Sequence, residues 1–315
     1  MSSVADRRSG ARRTPPAAPG RGRGYGAFLA PGIIAFTLLI MVPLVANTAI
    51  SFTAWRGVGM PTFTGLDNYA RLFTDDLFWT SFRNIVALIV ATVIVPTLTG
   101  LVLASVLFDI VARVFGARTA SFLRAGYYLP QVLPVAIAGV VWGWILHPTY
   151  GALNLALEGL GLEALTGNWL GERATALPAV MGVMIWFQLG YPVVIFMAAL
   201  QRVEPELYEA ASIDGASWWQ RFRHITVPQI RPEIFVVLVT STIFTLKIFG
   251  PIYVLTRGGP GNATLVPSYF AYRNFFEIAD IGYGAAISTV LTVLIIGLTV
   301  VFLRAQARGD TAEGP

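Results

Sequence analysis

The chain has 315 residues, 55% of them hydrophobic and 12% charged. An ordinary soluble domain carries about 25% charged residues, so the composition excludes one and indicates an integral membrane protein. There is no cysteine, which excludes disulfides and thiolate chemistry, and the net charge of +5 comes from 21 Arg and a single Lys, Lys247, a basicity that in a membrane chain reports topology rather than nucleic acid.

Residues 1–26 include "RRSGARRTPPAAPGRGRG", too rich in Arg, Pro and Gly to bury a core, and are expected to form a disordered cytoplasmic tail. A membrane-crossing helix needs about 20 mainly apolar residues, because the hydrocarbon layer is about 30 Å thick. The first such run is 27–50. It is too long for the apolar stretch of a cleaved signal and has only a weak cleavage candidate at Ala46-Asn47-Thr48, so it reads as an uncleaved anchor. Five more runs follow at 85–108, 125–146, 177–200, 234–255 and 283–303. The fold class is therefore all-α, a polytopic membrane protein with six transmembrane helices.

Arginine placement sets the orientation, since inner loops collect positive charge. With the N-terminus inside, the inner segments 1–26, 109–124, 201–233 and 304–315 hold fifteen of the 21 arginines and the outer segments six. Both termini are then cytoplasmic, and 306–315 is a short cytoplasmic tail. None of the six runs contains Asp or Glu. Proton- or sodium-driven carriers often depend on carboxylates at membrane depth. An ion-coupled secondary transporter is thus the alternative, and a separate energy source is the main expectation. The two histidines, His147 and His224, fall on opposite sides and cannot share a site; no metalloprotease or nucleophile-elbow motif is present, so no enzyme activity is expected.

Between the fourth and fifth runs lies a charged island, Leu207 to Pro232. Pro205 suits the first turn of a helix, with Glu206 near its positive end. Gly215 can take the left-handed conformation that ends that helix. Ser217 followed by Gln220 has the spacing of a capping box, which starts a second helix at Trp218. Trp218, Phe222 and Ile225 share one face of it, and Pro228 is expected to stop it. Ala210 and Ala211 leave room for another backbone. Helices this short are marginal alone, so the pair needs a surface to dock on, either a partner or the inner leaflet.

The island "EAASIDGASWWQRFRHITVPQIRP" resembles the EAA motif of binding-protein-dependent ABC importer permeases, with Glu209, Ala210, Ala211, Gly215, Ile225 and Pro228 at the motif positions and Val227 where the family usually has Leu. Two further stretches, "TGLDNYARLFTDDLFWTSFRNIV" and "YVLTRGGPGNAT", are similar to segments of the carbohydrate, maltose-permease-like branch; Gly250 departs from it where an acidic residue is often found. The likeness covers residues 27–305, and it implies the transmembrane subunit of a type I ABC importer. In that family the EAA loop, here 201–232, seats a coupling helix in a cytoplasmic ATPase subunit. The implied partners are a second EAA-type permease subunit, two cytoplasmic ATP-binding subunits, an extracytoplasmic solute-binding protein and the lipid bilayer. The implied solute is a small carbohydrate-like molecule, with glycerol phosphate as a non-sugar alternative. ATP is bound by the separate subunit and no cofactor by this chain, which has no phosphate-binding G-x-x-x-x-G-K-[ST] loop. Glu209 is expected to meet a basic residue, Gly215 to make the turn, and the Trp218/Phe222 face to pack on the ATPase or on the permease's own helices.

For the solute path, Lys247 is the one charge well inside a run, at a cost of about 3 kcal/mol on insertion scales. It reads either as a donor lining the path or as a snorkelling structural group. Phe249, Tyr253 and Trp186, with Tyr127, Trp142 and Trp144, could offer aromatic faces to a sugar, or serve as interfacial packing.

Overall fold

The structure, a computed structural model, describes the backbone of residues 25–312 and the side chains of 28–306; the tail expected to be disordered lies outside the described residues up to residue 24. The chain divides into two units, one ending at Asn47 and one beginning at Thr48. The described part of the first is α1, Phe28–Ile50, which runs on across that boundary.

The second unit begins with a two-residue antiparallel pair, β1 Thr53–Ala54 and β2 Thr62–Phe63. Short helix α2, Asp67–Thr74, leads into α3, Asp76–Val114, 39 residues long. Asp75 starts α3 by accepting from the Leu77 N–H at 2.8 Å, one of the donors a helix start leaves free. Then come α4 (Ala117–Val132), α5 (Val135–Ile145), α6 (Ala152–Gly159) and α7 (Ala176–Leu200). The charged island forms α8 (Pro205–Ile213) and α9 (Trp218–Gln229), and α10 (Arg231–Leu246) follows. Short α11 (Gly250–Leu255) and α12 (Pro267–Tyr272) precede the last helix, α13, Ile281–Ala312.

Among the described residues four helices, α1, α3, α7 and α13, are long and apolar enough to cross a membrane, and two bent pairs, α4 with α5 and α9 with α10, bring the number to six if each counts once. The all-helical, polytopic expectation holds, but two of the expected runs are not single helices. The third, 125–146, is broken by a 96° bend between α4 and α5. Leu133 is extended there (φ −72, ψ 137) because Pro134 disfavours the helical conformation in the residue before it. The fifth, 234–255, stops at Leu246 and resumes as α11 after a break at Lys247–Phe249, just before Pro251.

Prolines also leave a subtler mark. A proline within a helix removes one N–H and its ring presses on the carbonyl four residues back. Ahead of Pro43, Pro96 and Pro228 the helix widens into a π-type turn, over Thr37–Met41, Val90–Ile94 and Phe222–Thr226, each ending two residues before the proline. The widened turn moves the orphan carbonyl aside without breaking the helix.

Two apolar clusters fill the second unit. One gathers Ile85, Leu88, Met184, Phe187, Ile252 and Tyr269. The other gathers Leu101, Leu107, Val193, Phe196, Phe222 and Val237. Helices α3 and α7 run through both. In lipid a Leu gains little from burial, so helices associate through close packing and polar contacts. Close approaches between helices fall at glycines. A Cβ on Gly190 of α7 would stand 2.2 Å from the Tyr127 carbonyl oxygen of α4, and one on Gly100 of α3 would stand 2.7 Å from Pro192 Cβ. Gly190→Ala is therefore expected to force α4 and α7 apart and to destabilise the protein by about 1–3 kcal/mol, the usual range for overpacking. A lowered melting temperature of the purified protein in detergent would register it, and an unchanged one would show that this contact yields freely.

Candidate functional site

The island folds much as its residues dictate. Pro205 occupies the first turn of α8 and Glu206 sits in that turn. At its end Ala216 N–H donates to Ala211 O at 2.9 Å and Gly215 N–H to Ser212 O at 3.1 Å, the paired bonds that close a helix with a left-handed residue. That residue is Gly215, at φ +74, and nothing lies within 4 Å of where its Cβ would be. The demand for glycine here is conformational, not steric. Ser217 and Gln220 make the expected capping box, with Gln220 Oε1 accepting from the Ser217 N–H at 2.7 Å and Ser217 Oγ from the Gln220 N–H at 3.4 Å.

Pro228 does not end α9. The widened turn before it absorbs the proline, and the chain instead bends by 71° at Ile230. There Pro232, in the first turn of α10, has no N–H to give the carbonyl of Pro228.

The two faces of the pair differ. Phe222 is buried, stacks on Trp218 at 5.2 Å, and packs with Leu101, Leu107 and Phe196 of α3 and α7. The Trp218/Phe222 face thus rests on the protein's own helices, with Ile225 half-buried beside it. Tyr208 is buried beneath α8 against Thr226, 3.1 Å between hydroxyls, and burial pushes its phenol above the usual range. The opposite face is open. Glu209, Ala210 and Pro228 are exposed and Ala211 is half-exposed. Leu207, Ile213 and Trp219 are exposed apolar side chains on the same two helices, Ile213 at 87%. Glu209 has neither an ion pair nor a side-chain hydrogen bond among the described residues; the two ion pairs found there are Arg71–Asp280 and Arg202–Glu233.

The path candidates do not share one place. Lys247 is not inside a continuous helix as expected: it caps the end of α10 at the break and is exposed. Phe249 and Tyr253 stack at 5.4 Å within a group that also takes in Tyr269 and Tyr272. Trp186 meets Trp142 edge-on at 5.4 Å, and Trp142 lines a mostly apolar cavity of about 470 Å³ with Trp169, Leu146 and Pro178. The segment "TRGGPGN" is a turn held to α3 by Asn84, whose side-chain amide donates to Asn262 O at 3.4 Å and, three residues beyond it, to Leu265 O at 2.9 Å.

The expected spans also carry neutral polar contacts, to which a count of charges is blind. Gln131 of α4 donates to Gln188 of α7 at 3.3 Å, Gln188 donates to Ser241 of α10 at 3.3 Å, and Thr92 of α3 meets Thr245 of α10 at 2.8 Å. Gln188, a lone amide in an apolar run, was the available signal. Asp109 is a charge, but it stands one residue past the expected end of the second run and is buried there.

Comparison with known proteins places this architecture. Residues 97–308 match the family model described as "Binding-protein-dependent transport system inner membrane component". The chain is similar to the diacetylchitobiose uptake system permease protein NgcF of Streptomyces coelicolor, 37% identical, covering 88% of this chain and 80% of the relative. It is likewise similar to the trehalose/maltose transport system permease protein MalF of Thermococcus litoralis, 36% identical over 77% of this chain and 79% of that one. In fold it matches a chain of the bacterial alginate ABC transporter crystallised with an alginate-bound periplasmic protein, with a TM-score of 0.77 at 23% identity, over 90% of this chain and 94% of that one. Four membrane-length apolar helices and two bent pairs among the described residues, a two-helix loop bearing the EAA residues, and a family match over most of the chain lead to one conclusion: the protein belongs to the binding-protein-dependent transport system inner membrane components, the membrane-spanning permeases of ABC importers.

Proposed function

We propose that this permease forms one half of the membrane pathway of an importer for a small carbohydrate-like solute, and that α8 and α9 are the seat of a cytoplasmic ATPase. Its working partners are then a second EAA-type permease subunit, two ATP-binding subunits and an extracytoplasmic solute-binding protein. The observation that carries the coupling role is the open face of α8 and α9, where an unpartnered Glu209 stands among exposed Ile213, Trp219 and Leu207. A charge fenced by exposed apolar side chains fits a protein groove holding a basic residue better than it fits open solvent. The carbohydrate assignment rests on the relatives, whose names include uptake of diacetylchitobiose, trehalose or maltose, and lactose. The aromatic group around Phe249 and Tyr253 offers ring faces of the kind that sugars stack on.

The coupling role is tested in proteoliposomes holding the complete transporter. Glu209→Lys reverses the charge offered to the ATPase, and Gly215→Asp strains a residue at φ +74. A docked carboxylate that loses its partner costs about 3–5 kcal/mol. Both variants should insert normally yet lose solute uptake and the binding-protein stimulation of ATP hydrolysis. Full activity in both would remove the loop from the coupling mechanism.

Orientation is tested with introduced thiols, which report cleanly because the chain has no native cysteine. With both termini and the loop cytoplasmic, Arg223→Cys should resist a membrane-impermeant maleimide in intact cells and Glu163→Cys should react. The reverse pattern would invert the topology.

Lys247, exposed at the break between α10 and α11, is proposed as a donor on the solute path. Lys247→Met should lower uptake with assembly intact; a fall in membrane abundance instead would make it structural, and no change in either would take it off the path.

A further inference from the structure

The end of α3 lies against the two-helix loop. Leu107, Phe108 and Val111 share an apolar cluster with Trp218 and Phe222 of α9. Among them is Asp109, a carboxylate only 8% exposed. It sits on a π-type turn, Leu107–Val111, that no proline explains. Widened turns of this sort are frequent at functional positions, where they re-aim a side chain. Asp109 is within electrostatic reach of Arg113 and Arg221 and beside the Trp218 indole. Two buried donors of the loop nevertheless fall short of a well-formed hydrogen bond: Trp218 Nε1, which only approaches Asp109, and Arg221 Nε. Arg221 spends Nη1 on Ser212 Oγ of α8, at 2.6 Å. A buried donor without a partner costs about 1–3 kcal/mol, and a buried carboxylate close to two such donors is the group that could satisfy both.

The covalent links between loop and membrane helices are soft. α9 meets α10 across a 71° bend, and α8 is joined to α7 by a turn at 201–204. By contrast α3 is one continuous helix through both apolar clusters. It carries the Thr92–Thr245 contact at mid-length and the Asn84–Leu265 contact near its other end.

We propose that Asp109 is a positioning residue through which the loop grips α3, its carboxylate accepting from Trp218 and Arg221 when the ATPase subunits draw the loop. Movement of the loop then passes into a continuous helix that holds the "TRGGPGN" turn near its other end, through Asn84 and Asn262 O. This rests on the reading of α8 and α9 as the ATPase seat.

The test uses the complete transporter in proteoliposomes, measuring uptake, ATP hydrolysis and retention of ATPase subunits on purification. Asp109→Asn should keep the ATPase subunits bound but lower uptake by at least about tenfold, with more ATP hydrolysed per solute moved, as loss of charge at a buried acceptor of two donors implies. Arg221→Gln should do the same, and the two together should cost no more than either alone. Exchange of the pair, Asp109→Arg with Arg221→Asp, should recover part of the uptake. Wild-type uptake and ATP cost in Asp109→Asn would overturn the proposal, as would additive losses in the double variant. If Asp109→Asn lowers membrane abundance, the exchanged pair decides: recovery of abundance and uptake together supports the tie, and recovery of abundance alone overturns it. Glu209→Lys in the same assay separates the two readings. If it is silent the loop is not the ATPase seat; if it abolishes uptake while Asp109→Asn is silent, only the tie to α3 fails.

Discussion

In hydrocarbon, every backbone carbonyl that loses its N–H must find another donor or move aside, and the shape of this permease depends on that constraint more than on any single contact. Prolines create the orphan carbonyls. Where the surroundings allow the helix to widen, as before Pro96 and Pro228, it stays whole. Elsewhere it breaks, at Leu133 between Pro130 and Pro134 and at Lys247 to Phe249 before Pro251. Among the described residues four helices are long and apolar enough to cross a membrane unbroken, and two pairs are bent by 96° and 71°.

Those bends decide where function can reside. The break after α10 exposes Lys247 and sets Phe249 and Tyr253 into a group of aromatic rings. The bend at Ile230 lets α9 lie across the membrane helices, with Phe222 buried beneath it and Glu209 of α8 left open. One side of the loop is thus committed to the permease and the other is free for a partner. A loop that were only amphipathic would need one face; this one has two, and the inner one is polar as well as apolar, through Tyr208, Thr226, Asp109 and Arg221.

With little hydrophobic gain available in lipid, small residues and neutral hydrogen bonds hold the helices together. Gly190 and Gly100 allow backbones to meet, and Gln188, Ser241, Thr92 and Thr245 join α7, α10 and α3 without any buried charge at mid-membrane.

The sequence by itself determined the local features, because each is written in a few adjacent residues. Six apolar runs, the left-handed Gly215, the Ser217–Gln220 box and the start of α8 at Pro205 need no distant contact to be read. The EAA residues identified the family for the same reason. Tertiary structure alone decided which prolines bend a helix and which only widen it, since that depends on whether neighbouring helices hold the chain in line. It also decided that the Trp218/Phe222 face turns inward, that Lys247 falls at a break, and that Asp109 lies against a loop more than a hundred positions away in the chain. Contacts of that kind are set by how whole helices cross, and helix crossing in a membrane is governed by shape and by scattered polar groups that leave no periodic trace in the sequence.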